Sequence, residues 1–342
     1  MKILKKISTY FLGVSLCMGL SSASFADLQI NNTPTSVPKA HVSWSDDDAK
    51  QLLSNDTDEE GTPEGSTVVS ITQRPSAPTT NSPPVSDTRF FNNAGPIVQA
   101  GSALVMDAQT GEVLFSKNSS MARPMASITK LMTAVVIADA HLDMSEQISL
   151  DPIDFVGPKQ ASTKLRIGDQ MNRAEVLLMA LMKSENPAAA ALARTYPGGK
   201  VAFISAMNLK AQKLGMHSTR YFESTGLDSR NVSSARDLAI LVAEAYKYGV
   251  IRQFSSTAHY DFDLGYRMLN ASNTNALVRN GGWNINLSKT GFINEAGRCV
   301  VMHTTVNSRP AVVVLMGEPS TEARNADATD LLNWLSALPK DA

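Results

Sequence analysis

Hydrophobic and polar positions change rhythm several times along the chain. In SALVMDAQTGEVLFSKN, Ser102 to Asn118, two apolar runs flank Gln109-Thr110-Gly111, which predicts a β-hairpin. The next stretch, Met121 to Ala140, reads as a helix of about four turns. RAEVLLMALMKS, ending at Ser184, is apolar at helical spacing. NPAAAALART opens with Asn186 at an N-cap position and Pro187 at the first helical position. Lys200 to Leu214 predicts another helix, stopped by Gly215. Ser234 to Tyr248 predicts one more, with Ser234 and Asp237 spaced for a capping box. After Gly281-Gly282, the runs INLSKTGF, GRCVVMHTTV and RPAVVVLMG read as consecutive strands. A last helical pattern puts Leu331, Trp334, Leu335 and Leu338 on one face. Its polar face carries Glu322, Asp327 and Asp330 instead of a row of lysines, so packing on the domain is expected and not a membrane surface.

The order hairpin, helices, strands, helix predicts an α+β domain. Its mainly antiparallel sheet, flanked by helices, would be completed by distant parts of the chain, and the middle would form a second, all-helical lobe. A cleft between sheet and lobe is the natural place for a site.

Two segments stand apart from that domain. Residues 1–26 carry Lys2, Lys5 and Lys6, an apolar run and the small-x-small end Ser24-Phe25-Ala26, as a secretory signal does. The apolar run is too short to span a bilayer comfortably. Residues 27–97 hold the acidic clusters Asp46-Asp47-Asp48 and Asp58-Glu59-Glu60 and then RPSAPTTNSPPVSD. Such a composition buries too little apolar surface to offset its ordering entropy, so a flexible leader is expected. The folded domain is placed at 98–342, in a periplasmic protein without a membrane anchor once the signal is cut, and a monomer is expected.

Composition narrows the chemistry. The 31 basic and 32 acidic residues leave a formal net charge of −1, which gives nucleic acid no electrostatic footprint. His41, His141, His217, His259 and His303 are scattered without a metal-binding spacing, so neither metal nor cofactor is expected. Signal cleavage would remove Cys17 and leave Cys299 alone in a strand-like run, where a buried small hydrophobe is the expected role.

Three short motifs remain. Ser127 and Lys130 lie three apart at a helix start, where side chains share a face. A serine hydroxyl needs a base, and a lysine serves only when neutral. Lowering its pKa from about 10.4 to near 7 works against the charged form by roughly 4 kcal/mol, which burial and a second cation can supply. Alone the pair is cheap, for Ser36-Val37-Pro38-Lys39 imitates it. Ser184-Glu185-Asn186 lies between two helices, though Ser-x-Asn also occurs at Ser116 and Ser229. Lys289-Thr290-Gly291 sits in a strand, where glycine often marks close approach of another backbone.

Taken together and in this order, Ser-x-x-Lys, Ser-x-Asn and Lys-Thr-Gly resemble the motif set of penicillin-binding proteins and serine β-lactamases. RPMASITKLMTA, YFESTGLDSRNVSSARDLAIL and NTNALV are similar to the low-molecular-mass D-alanyl-D-alanine peptidases, and Ser-Glu-Asn to their endopeptidase branch. The resemblance runs from about Gly101 to Gly317. It implies a serine β-lactamase/DD-peptidase-like fold and an exported endopeptidase that hydrolyses peptidoglycan cross-links through an acyl-enzyme. A D-alanyl-D-alanine carboxypeptidase is the alternative, then a β-lactamase, and more remotely a non-catalytic peptidoglycan-binding module. By the resemblance, Ser127 forms the acyl-enzyme, Lys130 accepts its proton, and Ser184 and Asn186 complete the relay. Lys289, Thr290 and Gly291 belong to the ligand-carboxylate site, and the N–H groups of Ser127 and Phe292 form the oxyanion hole. Peptidoglycan peptides and β-lactams are the implied partners. Glu223 stands where a class A β-lactamase keeps a deacylating glutamate, but its setting, ESTGLD, matches the peptidases and implies a structural role. Only two strands and a helix follow the third motif, so a single catalytic domain is expected.

Overall fold

A computed structural model describes residues 95–339. The signal segment at 1–26 and nearly all of the leader at 27–97 lie outside the described residues.

The hairpin forms as expected from β1 (Ser102–Asp107) and β2 (Val113–Lys117). It joins β9 (Asn284–Ile293), β10 (Gly297–Val306) and β11 (Arg309–Glu318) in a five-stranded antiparallel sheet of order β2-β1-β11-β10-β9. The pairing Leu104↔Val314 closes the sheet between distant parts of the chain.

Alternation along the strands divides the core in two. Ala103, Val105, Val300, Met302, Val313 and Leu315 face the last helix, α8 (Thr321–Ala337), and meet its Leu331, Leu332 and Leu335. Leu104, Val301, Val312 and Val314 face the helical lobe. There α1 (Thr129–Asp139) is buried from Thr129 to Ala138 and forms the centre of the lobe, as an all-round apolar helix must.

Between α1 and the strands of the third motif the chain winds through the lobe. The short pair β4 (Gln147–Ser149) and β5 (Gln170–Asn172) brackets a 3₁₀ turn at Pro152–Phe155 and a long loop. Then come α2 (Arg173–Leu178), a π-helical turn at Met179–Lys183, α3 (Asn186–Arg194) and α4 (Gly199–Lys213). Next are α5 (Ala235–Tyr246), α6 (Gly249–Ser256), the hairpin β7 (His259–Asp263) and β8 (Met268–Ser272), and the short α7 (Ala276–Asn280).

Three local expectations change. The helix expected from Met121 begins later, because Arg123–Pro124 is a strand, β3, paired with β6 (Val232–Ser233). Met125 N then donates to Asn231 O, and only from Ala126 does the chain turn helically. Asn186 is the first helical residue, not the N-cap; Glu185 has the extended backbone of that position, and the Asn186 amide is engaged elsewhere. Ser234 caps α5 by accepting from Asp237 N, but the Asp237 carboxylate accepts from Ser218 N and the Thr219 hydroxyl, so the box is half made. That helix stops at Tyr246 and a separate one starts at Gly249. Cys299 is buried, and burial pushes its thiol up to about 11, in keeping with a core residue. Trp283 packs against the sheet's outer core cluster.

At the end of β11, Glu318 is buried beside Asp327 of α8. Asp327 is committed as an acceptor to Ala100 N. Burial and this neighbour push the Glu318 carboxyl up to about 8, so the folded chain holds its proton at neutral pH. An unfolded glutamate ionises near 4.3, so between that pH and 8 the native state binds more protons and stability falls as pH rises. Urea midpoints at pH 5 and pH 8.5 should therefore differ less for Glu318→Gln than for the wild type, and the variant should be the more stable of the two at pH 8.5.

Candidate active site

The first motif lies where the lobe meets the sheet. Ser127 is in a 3₁₀ turn, Ala126–Ile128, that runs straight into α1. Ala126 just before it is held at φ 49°, a left-handed conformation that costs a non-glycine residue on the order of 1 kcal/mol. Two glycines hold the turn from outside. A Cβ on Gly226, itself at φ 87°, would stand 1.9 Å from Ala126 O. One on Gly291 would stand 2.9 Å from Ser127 N. The third motif's glycine is thus required by the backbone of the first.

Lys130 is fully buried. Its Nζ lies 2.9 Å from Ser127 Oγ and donates to Asn186 Oδ1 at 2.8 Å and to Thr225 O at 2.6 Å. A neutral amine has two N–H groups and one lone pair. Two carbonyl acceptors take both hydrogens, which leaves the lone pair for the serine hydroxyl.

The second motif arrives by a change of helix type. After α2 the π-helical turn ends at Ser184, which is left-handed at φ 66°. π turns are rare and concentrate at functional sites. This one leads within two residues into α3 and leaves Ser184 and Asn186 half-buried. In the third motif, Lys289 is buried and its Nζ donates to Thr290 O at 3.1 Å. The Thr290 hydroxyl bonds Thr274 Oγ1 at 2.6 Å. Phe292 is exposed, with the Arg298 guanidinium 3.6 Å from its ring centroid.

Direct bonds therefore join Ser127, Lys130 and Asn186. Gly291 abuts the serine, and charge couples Lys289 to Lys130. Glu223 is not among the hydrogen-bond partners of Lys130. Its carboxylate accepts from Thr225 N, Gly226 N and Asn231 Nδ2, and so shapes the loop whose Thr225 carbonyl receives Lys130. Among the described residues no group of His, Cys, Asp and Glu could hold a metal ion.

Residues 90–320 match the model of a family described as D-alanyl-D-alanine carboxypeptidase. The chain belongs to this family. It is 46% identical over 243 residues to the D-alanyl-D-alanine endopeptidase of Pseudomonas aeruginosa, covering 69% of this chain and 77% of that one. It is 43% identical over 242 residues to the D-alanyl-D-alanine endopeptidase of Escherichia coli K12, covering 70% and 78%. The crystal structure of the Streptomyces K15 DD-transpeptidase superposes with a TM-score of 0.66 at 26% identity, over 72% of this chain and all of that one. The α+β fold is that of the serine DD-peptidases.

Among the residues of the three motifs the electrostatics are lopsided. Burial pushes the Lys130 amine down to about 7, while the carboxylates of Glu223 and Glu185 pull it back up. The Lys289 amine is held well below its ordinary value by burial first, then by Lys130 and Arg324. Burial, more than a second cation, is what frees the Lys130 lone pair. Sequence reasoning missed several of these contributors. Glu185 looked like the filler of Ser-x-Asn, yet its buried carboxylate, bonded by Thr163 Oγ1, sets part of the Lys130 field. Thr225 acts through a backbone carbonyl, which no side-chain motif encodes. Buried Arg324 carries no local signal beyond its place at the start of a helix.

Acylation should rise with pH as Lys130 loses its proton and level off above about 7. Glu185→Gln removes a charge that holds the proton on, so the midpoint should move to lower pH. Stopped-flow acylation by a chromogenic β-lactam across pH 5 to 9 measures both.

Proposed function

We propose that the protein is an exported serine D-alanyl-D-alanine endopeptidase that cuts peptide cross-links of peptidoglycan. The observation that carries this reading is the buried Lys130 amine, lowered to about 7, whose two carbonyl acceptors leave its lone pair to Ser127 Oγ. In the proposed reaction, Ser127 attacks the D-alanyl carbonyl as Lys130 takes its proton. The N–H groups of Ser127 and Phe292 receive the oxyanion. Ser184 passes the proton to the leaving amine, and Asn186 orients the acyl-side amide. Lys289 and Thr290 hold the carboxylate next to the scissile bond. Water then hydrolyses the acyl-enzyme.

Similarity to the two endopeptidases favours the endopeptidase over the carboxypeptidase reading. β-Lactams acylate Ser127 and leave slowly in this reading, because the Glu223 carboxylate is occupied by its own loop and is not free to activate water. In this reading the N-terminal signal directs the protein to the periplasm, where it acts as a monomer.

Purified cross-linked dimers and monomeric pentapeptides, digested and read by mass spectrometry, test it. Dimers should fall to monomers. Release of terminal D-alanine alone would favour the carboxypeptidase. Fluorescent penicillin should label the wild type and not Ser127→Ala, and Lys130→Ala should slow labelling by about 10²–10⁴-fold. Equal labelling of Ser127→Ala overturns the proposal.

A further inference from the structure

A cavity of about 560 Å³ opens in the helical lobe, between the loop after the 3₁₀ turn at Pro152–Phe155, α3, the start of α4 and the loop around Thr225. Phe155, Val156, Pro158, Pro187, Ala190 and Leu227 make much of its wall apolar. Ile153 and Val156 on that wall are 58% and 66% exposed, and Val201, next to Lys200 at the start of α4, is 81% exposed. Single exposed apolar residues are ordinary, whereas a group of them around a hollow marks a place for a partner. The charges of the cavity are one-sided. Its two carboxylates are committed, Asp154 to Arg194 and Glu223 to its own loop. Of the two lysines that line it, Lys159 pairs with Glu295, while Lys200 forms no ion pair among the described residues. An apolar wall with positive charge at its edge suits an acidic segment that carries apolar anchors.

The chain itself carries such a segment. Residues 41–60 belong to the leader, outside the described residues, and read HVSWSDDDAKQLLSNDTDEE. Seven carboxylates stand there against one lysine, Lys50. Trp44, Leu52 and Leu53 interrupt the polar run. Ser45 and Asp48 have the spacing of a capping box, and Ala49, Leu52 and Leu53 recur after it at helical spacing. A segment of this kind can order itself as it binds, with its apolar positions entering a groove. The tether is long enough. Thirty-four residues lie between Glu60 and Gly95, where the described residues begin. As a coil they span about 30–35 Å. A domain of this length has a radius of gyration of about 18 Å, so the whole lobe is within range. Because both parties share one chain, the effective concentration is on the order of millimolar, and a weak contact suffices.

We propose that residues 41–60 of the leader dock within the same molecule in this cavity. Trp44, Leu52 and Leu53 meet the apolar wall, and the acidic clusters on either side of them face Lys200. The cavity is also lined by Asn186 and Thr225, the acceptors of the Lys130 amine. The docked segment thus lies one side chain away from that amine, and the leader is a part held on the lobe instead of a passive spacer.

The test uses the full-length protein. Benzoylphenylalanine placed at position 44 is irradiated, and the cross-linked peptides are read by mass spectrometry. Cross-links within one molecule should fall on residues 153–161, Pro187 or Ala190. Cross-links between two molecules, cross-links elsewhere on the domain, or none at all overturn the inference. The charge contact has a readout of its own, acrylamide quenching of Trp44, taken as the difference between the wild type and Trp44→Phe. Lys200→Glu should raise this quenching about threefold, as losing one exposed charge contact does to a weakly held segment. Adding Asp46→Lys with Asp47→Lys to that variant should restore the wild-type value, with an unchanged melting temperature throughout. Quenching that ignores Lys200→Glu, or that the leader reversal fails to restore, overturns the inference. Neither readout uses the reaction, so the peptidase reading stands or falls separately.

Discussion

The amine of Lys130 sits wholly out of water, and the rest of the cleft is arranged around that fact. An ammonium there would lack solvation, so the chain supplies two carbonyl oxygens, from Asn186 and Thr225, that a neutral amine can satisfy. The carboxylates of Glu223 and Glu185 are near enough to raise its pKa, yet neither is among its hydrogen-bond partners. A carboxylate bonded to Nζ would hold the proton, and the lysine would become half of a salt bridge. The separation keeps the proton loosely held near neutrality, as the proposed role of accepting and returning a proton needs.

Keeping that arrangement dry demands a helix apolar on every side, and α1 is one. It also demands backbone in uncommon conformations. Ala126 and Ser184 are both left-handed without being glycine, and Gly226 and Gly291 lie against the Ser127 turn where a side chain would collide. Such strain persists only where surrounding contacts over-determine it. Here the Glu223 carboxylate fixes the Thr225–Gly226 loop, and Asn231 ties Thr129 to that loop.

Much of this was legible in the sequence, and the parts that were not share a cause. The sheet and the inner helices follow from periodicity, as the alternation of Val300, Val301 and Met302 between two cores illustrates. The three motifs were readable because residue identity, spacing and order define them. Pro124 looked like part of a helix because its strand partner, Val232, is more than a hundred residues away. Asn186 looked like a cap because local pattern carries no knowledge of a lysine 56 positions earlier. Thr225 was invisible because its contribution is a main-chain oxygen. Glu185 was overlooked because a charge acts through distance and burial, and neither is written in spacing.

The pairing of β1 with β11 has a consequence for the chain's life before it becomes an enzyme. The first strand of the domain completes its hydrogen bonds only with one made more than two hundred residues later. Until β11 has emerged, Leu104 and Val105 have no partner strand on that side, and the two-sided core cannot close. Contacts this far apart in sequence are slow to form, and they form together. A chain threaded through a membrane pore from its N-terminus would therefore stay pliable during passage and fold only after nearly all of it had crossed.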